Sequence, residues 1–386
     1  MPQRDHGRIR TVLTAEAAAQ LWTDGWCVLD GLLGRDWAMA LRSEIASLAE
    51  GGLMREHRFQ FAQAQFRKPH IYEVDMHDAA LRVRAPDFDA LFRENPVAEV
   101  LNGHQPQLQL TPGCDASTLK LQYNAGGGGC FPCHYDNAGR PNQRQLTCLV
   151  YLNHEWQPGD GGELELLPFL QPTIRIPPKL DRAVLFLSDR VLHRVLPAAV
   201  PRYCFTLWID GTAVNDDASV GLSAAQLALD DASVAALCGS ARQRAVSRAV
   251  YAEEYEVSLR ECMGDAEGAA EMVAAHLAHV AQQRAHPQLA PFVEGLRKRK
   301  PPPSSARVYG ESPAPEVGDP CQLGADKQPE ENVARQCAAC GAAVGGRQQG
   351  YYRCSQCETA VYCGTECQAE HWPAHRGECV RASTPA

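Results

Sequence analysis

Between residues 105 and 212 apolar side chains gather in short, β-rich runs, some alternating with polar residues and some continuous: QLQL, TLKLQY, LTCLVYL, GELELL, AVLFLS and YCFTLWI. Each run is bounded by Gly, Pro, Asn or Asp, and period-two alternation with β-branched and aromatic residues predicts strands. The earlier pattern is different. Thr14 is placed to cap a short Ala-rich helix, and WCVLDGLL (26–33) reads as a strand. Trp37, Leu41, Ile45 and Leu48 then share one face of a helix that Gly51 and Gly52 end in a left-handed turn. Helices followed by a run of strands predict an α+β fold: a closed or sandwiched sheet with helices outside it. Residues 222–296 are rich in Ala, Glu and Arg at helical spacing, a helical extension that either packs on the barrel or forms a separate platform. From RKRKPPPSS (297–305) to about residue 335, Pro, Gly and charge leave too little apolar surface to fold. The expected units are a folded domain over 1–213, the extension over 214–298, a disordered linker over 299–335 and a small module over 336–380.

Length and composition narrow the classes. The chain has 386 residues, enough for one large domain with attachments. A net charge of −9 argues against general nucleic-acid binding, and no specific nucleic acid is expected. No apolar run is long enough for a secretory signal or a membrane span, so a soluble intracellular protein is expected, cytoplasmic, nuclear or both. The basic RKRK fits a nuclear import signal or, more ordinarily, a solvated stretch. In a reducing compartment the 16 cysteines serve metals more often than disulfides, and seven of them fall between Cys337 and Cys379.

Candidate chemistry sits among the strands. His134 and Asp136, two residues apart in HYD, offer an imidazole and a carboxylate on one face. His193 is the natural third member of a two-His, one-carboxylate triad, which leaves positions open for an oxidisable substrate and oxygen. Nine residues later Arg202 opens the last strand, and Arg grips a carboxylate bidentately. Period two puts Arg202, Cys204, Thr206 and Trp208 on one face, as it does Thr147, Leu149 and Tyr151, and Leu119, Leu121 and Tyr123. If these faces line one barrel, they give Arg and hydroxyl groups for a dicarboxylate between Leu walls. An HxD pair alone is common, and a lone His is usually a satisfied polar residue; four elements in order are harder to obtain by accident. Cys130 and Cys133 form a CxxC before HYD, a spacing open to redox or metal chemistry but more often incidental in a Gly-rich loop.

The segments HYDN, TCLVYLN, GGELELLP, LSDR and H…R…T-x-W resemble the prolyl-4-hydroxylase superfamily over about residues 20–212, and within it the hypoxia-sensing type. The resemblance implies a double-stranded β-helix (jelly-roll) core and an iron(II)- and 2-oxoglutarate-dependent dioxygenase using O2, with ascorbate as accessory reductant. By match, His134, Asp136 and His193 hold iron; Arg202 and Tyr151 bind the distal carboxylate of 2-oxoglutarate with Thr206 nearby. Leu119, Leu149, Leu164 and Val195 line that pocket, Tyr123 sits near the iron, and Arg144 and Trp208 lie at the peptide entrance. A proline of a protein substrate is the implied target, with an oxygen-responsive role as a further expectation. Two departures stand out: the Tyr123–His134 stretch, with its four glycines, is one residue longer than the family pattern, and one residue is missing between Asp189 and His193. Other readings are oxidation of another side chain or a small molecule, or a silent barrel serving as scaffold.

From Cys337 the chain reads C-x2-C, thirteen residues, C-x2-C, five residues, C-x3-C, seven residues, His375, three residues, Cys379. Eight thiolate or imidazole ligands in so short a segment are enough for two tetrahedral zincs, which a near-coreless module needs in order to fold. Spacing and text resemble the MYND finger. That match implies one zinc on Cys337, Cys340, Cys363 and Cys367 and another on Cys354, Cys357, His375 and Cys379, with His371 left out. Proline-containing peptides are the partners it implies.

Overall fold

The computed structural model describes residues 5–310 except 62–63, 138, 140, 214–221, 224–225, 265 and 267. Beyond these it describes residues 335–340, 343–344, 352–353, 360–362, 367, 371 and 374–375. Six helices come first: α1 (His6–Val12), α2 (Ala15–Asp24), α3 (Arg35–Glu50), α4 (Ala79–Arg82), α5 (Pro86–Glu94) and α6 (Val97–His104). Thr14 caps α2, its hydroxyl accepting from Ala17 N at 3.3 Å, and α3 buries Trp37, Leu41, Ile45 and Leu48, the expected face. Gly52, with φ +65°, closes the turn after α3.

Strands β1 (Trp26–Asp30), β2 (Arg55–Phe61), β3 (Ala64–Asp75), β4 (Ser117–Asn124), β6 (Arg144–Tyr151), β9 (Arg182–Leu187) and β11 (Arg202–Asp210) form a major sheet in the order β1-β9-β6-β11-β4-β3-β2. A minor sheet, β12-β8-β7-β10-β5, joins β5 (Gly129–His134), β7 (Leu164–Leu167), β8 (Ile174–Ile176), β10 (Leu192–Ala198) and β12 (Arg307–Val308). All neighbours are antiparallel except β12 against β8. The two sheets make the expected jelly roll.

Alternation along the strands decides what each face covers. Leu119, Leu121, Leu146, Cys148, Val150, Phe205 and Leu207 pack beneath the N-terminal helices. Leu149, Tyr151, Val184, Phe186 and Cys204 face inward to Leu164, Leu166 and Val195 of the minor sheet. Each such side chain contributes about 1.5–3 kcal/mol on burial, so the two faces of one sheet hold two cores together.

Three elements differ from the pattern read along the chain. QLQL is not a strand: Pro106–Leu108 is a single 3-10 turn, Gln109 has φ +47°, and only Leu110 bridges to Gly211. The hairpin β2–β3 lies in a polar stretch with no continuous apolar face. In HYD, β5 ends at His134, so Asp136 stands in the bend beyond it.

The extension packs on the barrel. Helices α7 (Asp231–Cys238), α8 (Arg244–Val250), α9 (Ala252–Met263), α10 (Ala269–Ala285) and α11 (Leu289–Arg299) close over the minor sheet. There Val234, Val250, Tyr251, Tyr255, Phe292 and Leu296 meet Cys133, Leu167, Phe169 and Leu192. One compact unit therefore runs Met1–Tyr309. The start of the expected linker belongs to it, because the β8 edge offers backbone partners: Arg307 N donates to Thr173 O at 2.9 Å and Tyr309 N to Arg175 O at 2.8 Å. Residues 311–334 of that linker lie outside the described residues.

The second unit is Gly310–Ala386. In it β13 (Arg335–Gln336) pairs with β14 (Ala343–Val344), and β15 (Tyr352–Arg353) pairs with β16 (Val361–Tyr362). Tyr362 is fully buried and its hydroxyl bonds His371 Nδ1 at 3.3 Å. Among the described residues no helix is long and apolar enough to cross a membrane.

Candidate active site

β5 and β10 pair with His193 directly opposite His134. The two rings lie 4.2 Å apart between centres. Asp136 reaches both: its Oδ1 is 3.4 Å from His134 Nε2 and 3.6 Å from His193 Nε2. Backbone carbonyls fix the other ring nitrogens, Pro132 O on His134 Nδ1 at 2.8 Å and Val191 O on His193 Nδ1 at 3.1 Å. Each imidazole thus carries its proton on Nδ1 and turns the Nε2 lone pair toward Asp136. The carboxylate is oriented as well. Its Oδ2 accepts from Thr147 Oγ1 at 2.7 Å and from Trp208 Nε1 at 3.0 Å, which leaves Oδ1 facing the imidazoles.

The electrostatics agree with a cation site. Burial would raise the Asp136 carboxyl, but His193, His134 and the bonds it accepts hold it far below the usual carboxylate range. Burial, reinforced by His134, lowers His193 to about 4, so its imidazole is neutral at physiological pH. Two imidazoles and one carboxylate gathered within 4.8 Å are the donor set of a non-haem iron(II) centre.

A cavity of about 380 Å³ opens from these three residues between the sheets. Leu149, Leu164, Val195, Thr206 and Phe186 wall it, with Arg202 at its far side and Arg144 and Trp208 also on its lining. A larger cavity of about 670 Å³ lies between the Pro168–Pro172 loop and α7, but the triad does not line it. Chemistry, not size, selects the site.

Arg202 is the test of fit for a dicarboxylate. It is buried, with its guanidinium 4.9 Å above the Tyr151 ring, and its Nε has no hydrogen-bond partner. The Tyr151 hydroxyl, equally buried, has none either. Two orphaned buried donors side by side are costly unless an acceptor reaches them, and a carboxylate entering beside Arg202 satisfies both, although Tyr151 itself does not line the cavity. Gly162, at φ +74°, keeps this corner open: a Cβ there would stand 2.9 Å from Arg202 Cδ. That is why the GGELELLP turn carries glycine where it meets the arginine.

Two expected wall residues are elsewhere. Tyr123 packs against Tyr203, ring centres 5.1 Å apart, and Leu119 lies in the core beneath the helices, so neither lines the cavity. The cause is register: Gln122 pairs with Cys204 and Lys120 with Thr206, and directly opposite residues share a face. Gln122 and Lys120 are therefore the β4 residues of the cavity. The polar face of β4, and not the apolar one expected, therefore turns toward the cavity.

Other contributors carried no signal in the sequence. Residues 133, 135 and 137 alternate outward from the ligands at 134 and 136, and the extension grips all three. Cys133 N donates to Ser258 Oγ at 3.0 Å, Tyr135 Oη donates to Ser247 Oγ at 2.9 Å, and Arg244 donates to Asn137 O. Cys130 is joined to Cys262 of α9 in a disulfide, Cα–Cα 5.4 Å, and not to Cys133, whose thiol donates to Glu254 O at 3.7 Å. The expectation of reduced thiols fails at this pair.

In the second unit Cys337, Cys340 and Cys367 bring their sulfurs within 4.8 Å of one another, a partial tetrahedral set for zinc. Cys354, Cys357, Cys363 and Cys379 lie outside the described residues. His375 stacks on His371 at 5.7 Å.

Comparison with known proteins places both units. A sequence profile of the 2OG-Fe(II) oxygenase superfamily matches residues 120–210, and one of the MYND finger matches residues 337–379. The crystal structure of a prolyl 4-hydroxylase from Phytophthora capsici is 42% identical and superposes with a TM-score of 0.69, covering 78% of this chain and 96% of that one. Residues 1–213 alone cannot supply that share, so the likeness extends into the helical extension. The hypoxia-inducible factor prolyl hydroxylase of Caenorhabditis elegans is 30% identical over 205 residues, 50% of this chain; the match spans only 28% of the nematode protein. N-lysine methyltransferase SMYD2 of Gallus gallus is 47% identical over 34 residues, 9% of this chain and 8% of that protein. The chain belongs to the prolyl 4-hydroxylase family of 2OG-Fe(II) oxygenases and carries a MYND finger after its oxygenase domain.

Proposed function

We propose that the chain hydroxylates a proline ring carbon in a protein substrate, with iron(II) held by His134, Asp136 and His193 and 2-oxoglutarate anchored by Arg202 and Tyr151. The observation that carries this reading is a pair of buried unsatisfied donors: Arg202 Nε, on the lining of the cavity that opens from a three-ligand site, and Tyr151 Oη beside it. When bound, the metal and cosubstrate supply the oxidising chemistry: decarboxylation of 2-oxoglutarate to succinate and CO2, with one oxygen atom of O2 entering the substrate C–H bond. The protein supplies placement. Thr147 and Trp208 hold Asp136, the carbonyls of Pro132 and Val191 hold the imidazoles, and Leu149, Leu164 and Val195 keep the cosubstrate methylenes dry. Arg144, 4.1 Å over the Trp208 ring, stands on the cavity wall where a peptide enters. The proline target is supported by the family and by the 42% identity to a prolyl 4-hydroxylase. The MYND finger is assigned the recruitment of proline-containing partners.

Incubation with iron(II), 2-oxoglutarate and proline peptides, read by mass spectrometry and succinate release, tests the reading. The expected result is one oxygen gained per succinate on peptidyl proline and none with free amino acids. Turnover on free amino acids or small molecules alone would overturn it.

A further inference from the structure

Lys68 of β3 is buried, 6% exposed, and lines the active-site cavity. Its ammonium lies 3.6 Å from the centre of the Phe131 ring on β5 and 5.4 Å from that of Phe59 on β2. Among the described residues it makes no ion pair. The nearby carboxylate is Glu73, already committed to His57 at 2.7 Å and Lys120 at 3.0 Å. Burial lowers Lys68 to about 7, with the attraction of Glu73 opposing. Aromatic faces return about 2 kcal/mol at best, less than the several kcal/mol that burial of an unpaired ammonium costs. A fold that keeps this charge at its active site is short of an anion.

Neither cosubstrate nor ligands supply it. Asp136 faces the imidazoles, and the orphaned donors for a distal carboxylate are Arg202 and Tyr151. Phe131, which Lys68 covers, lies 6.2 Å from the His134 ring. Lys68 is therefore within about 10 Å of an iron ligand, the reach of one or two extended residues plus an acidic side chain. Lys120 and Arg144 add positive charge to the same lining, where Glu73 is the one carboxylate besides Asp136.

We propose that Lys68 selects the substrate by receiving the carboxylate of an Asp or Glu placed one or two residues from the target proline. The inference rests on the hydroxylase reading but is tested separately from it. Peptide binding to the full chain, loaded with metal and 2-oxoglutarate without oxygen, is measured by calorimetry. The peptides differ only in Asp, Asn or Lys beside the proline, and hydroxylation is scored in parallel by mass. The wild-type protein is expected to bind the Asp peptide about tenfold more tightly than the Asn peptide. Lys68→Met is expected to equalise them, and Lys68→Glu to favour the Lys peptide, a gain that misfolding does not produce. Equal wild-type affinities, or a preference for Asp that survives in Lys68→Met, would overturn the proposal whatever is hydroxylated. A Lys68-dependent preference without oxygen transfer supports it and instead defeats the hydroxylase reading.

Discussion

His193 shows how much one side chain carries, because its Nε2 faces Asp136 while Val191 O holds its other nitrogen. Replacing it with Ala removes one of three ligands, so iron affinity and turnover are expected to fall by on the order of a hundredfold or more; metal analysis after dialysis checks this. Thr147→Val and Trp208→Phe free Asp136 Oδ2 and are expected to weaken iron by about tenfold to a hundredfold without touching the metal. Arg202→Met strands a cosubstrate carboxylate in a dry site at about 2–5 kcal/mol, a loss in 2-oxoglutarate affinity of about thirtyfold or more. Arg202→Lys restores little, since one ammonium does not reproduce the planar fork. Lys68 gives a pH signature. Its carboxylate-binding form is the protonated one and burial lowers it to about 7, with Glu73, Lys120 and His57 on the same cavity lining. Affinity for an Asp peptide is therefore expected to be flat below that pH and to fall above it, up to tenfold per unit, whereas the Asn peptide stays level. For stability the sign is opposite. The unfolded lysine keeps its proton to its ordinary 10.5, the folded one loses it near 7, so raising pH across that window stabilises the fold.

At the scale of elements, the ligands were legible and their supports were not. His134, Asp136 and His193 stand out because few residue types bind iron and their order is fixed; the face of β4 did not, because both parities of STLKLQYN pack well. Leu119 and Leu121 are the more apolar set, and apolar walls were expected around the cosubstrate, yet the helices claimed them and left Lys120 and Gln122 to the cavity. The hairpin β2–β3 escaped because REHRFQF mixes polar and aromatic side chains without a continuous apolar face. The extension escaped for another reason. Ser247 and Ser258 are ordinary helix residues in sequence and reach the site through contacts more than a hundred positions away. Ser258→Val leaves the Cys133 amide without an acceptor, and Tyr135→Phe leaves the Ser247 hydroxyl oxygen without its donor. Each is expected to cost about 1–3 kcal/mol. Iron affinity should fall with it, since β5 carries His134 at its end. Thermal unfolding with and without metal separates the two effects; equal stability in both variants would show that α8 and α9 do not brace the site.

For the whole molecule, the chain divides where its physics changes. Up to Tyr309 two sheets and two helical layers share continuous cores, whereas the second unit has Tyr362, Val361 and Cys337 as its buried side chains among the described residues. A module of so few residues builds little apolar core, and the gathered sulfurs of Cys337, Cys340 and Cys367 point to metal as the stabilising force. Chelation of zinc is thus expected to unfold residues 336–380 alone, and metal analysis of the intact protein should return two zincs per chain besides iron. Removing 311–386 is expected to leave the melting of the oxygenase unit and its KM for short proline peptides unchanged, because no strand or core residue of that unit is lost. Turnover on a full-length protein substrate should fall if the finger recruits it. A truncated enzyme that processes peptides and proteins alike would separate the finger from substrate choice and leave selection to the cavity, where Lys68 stands.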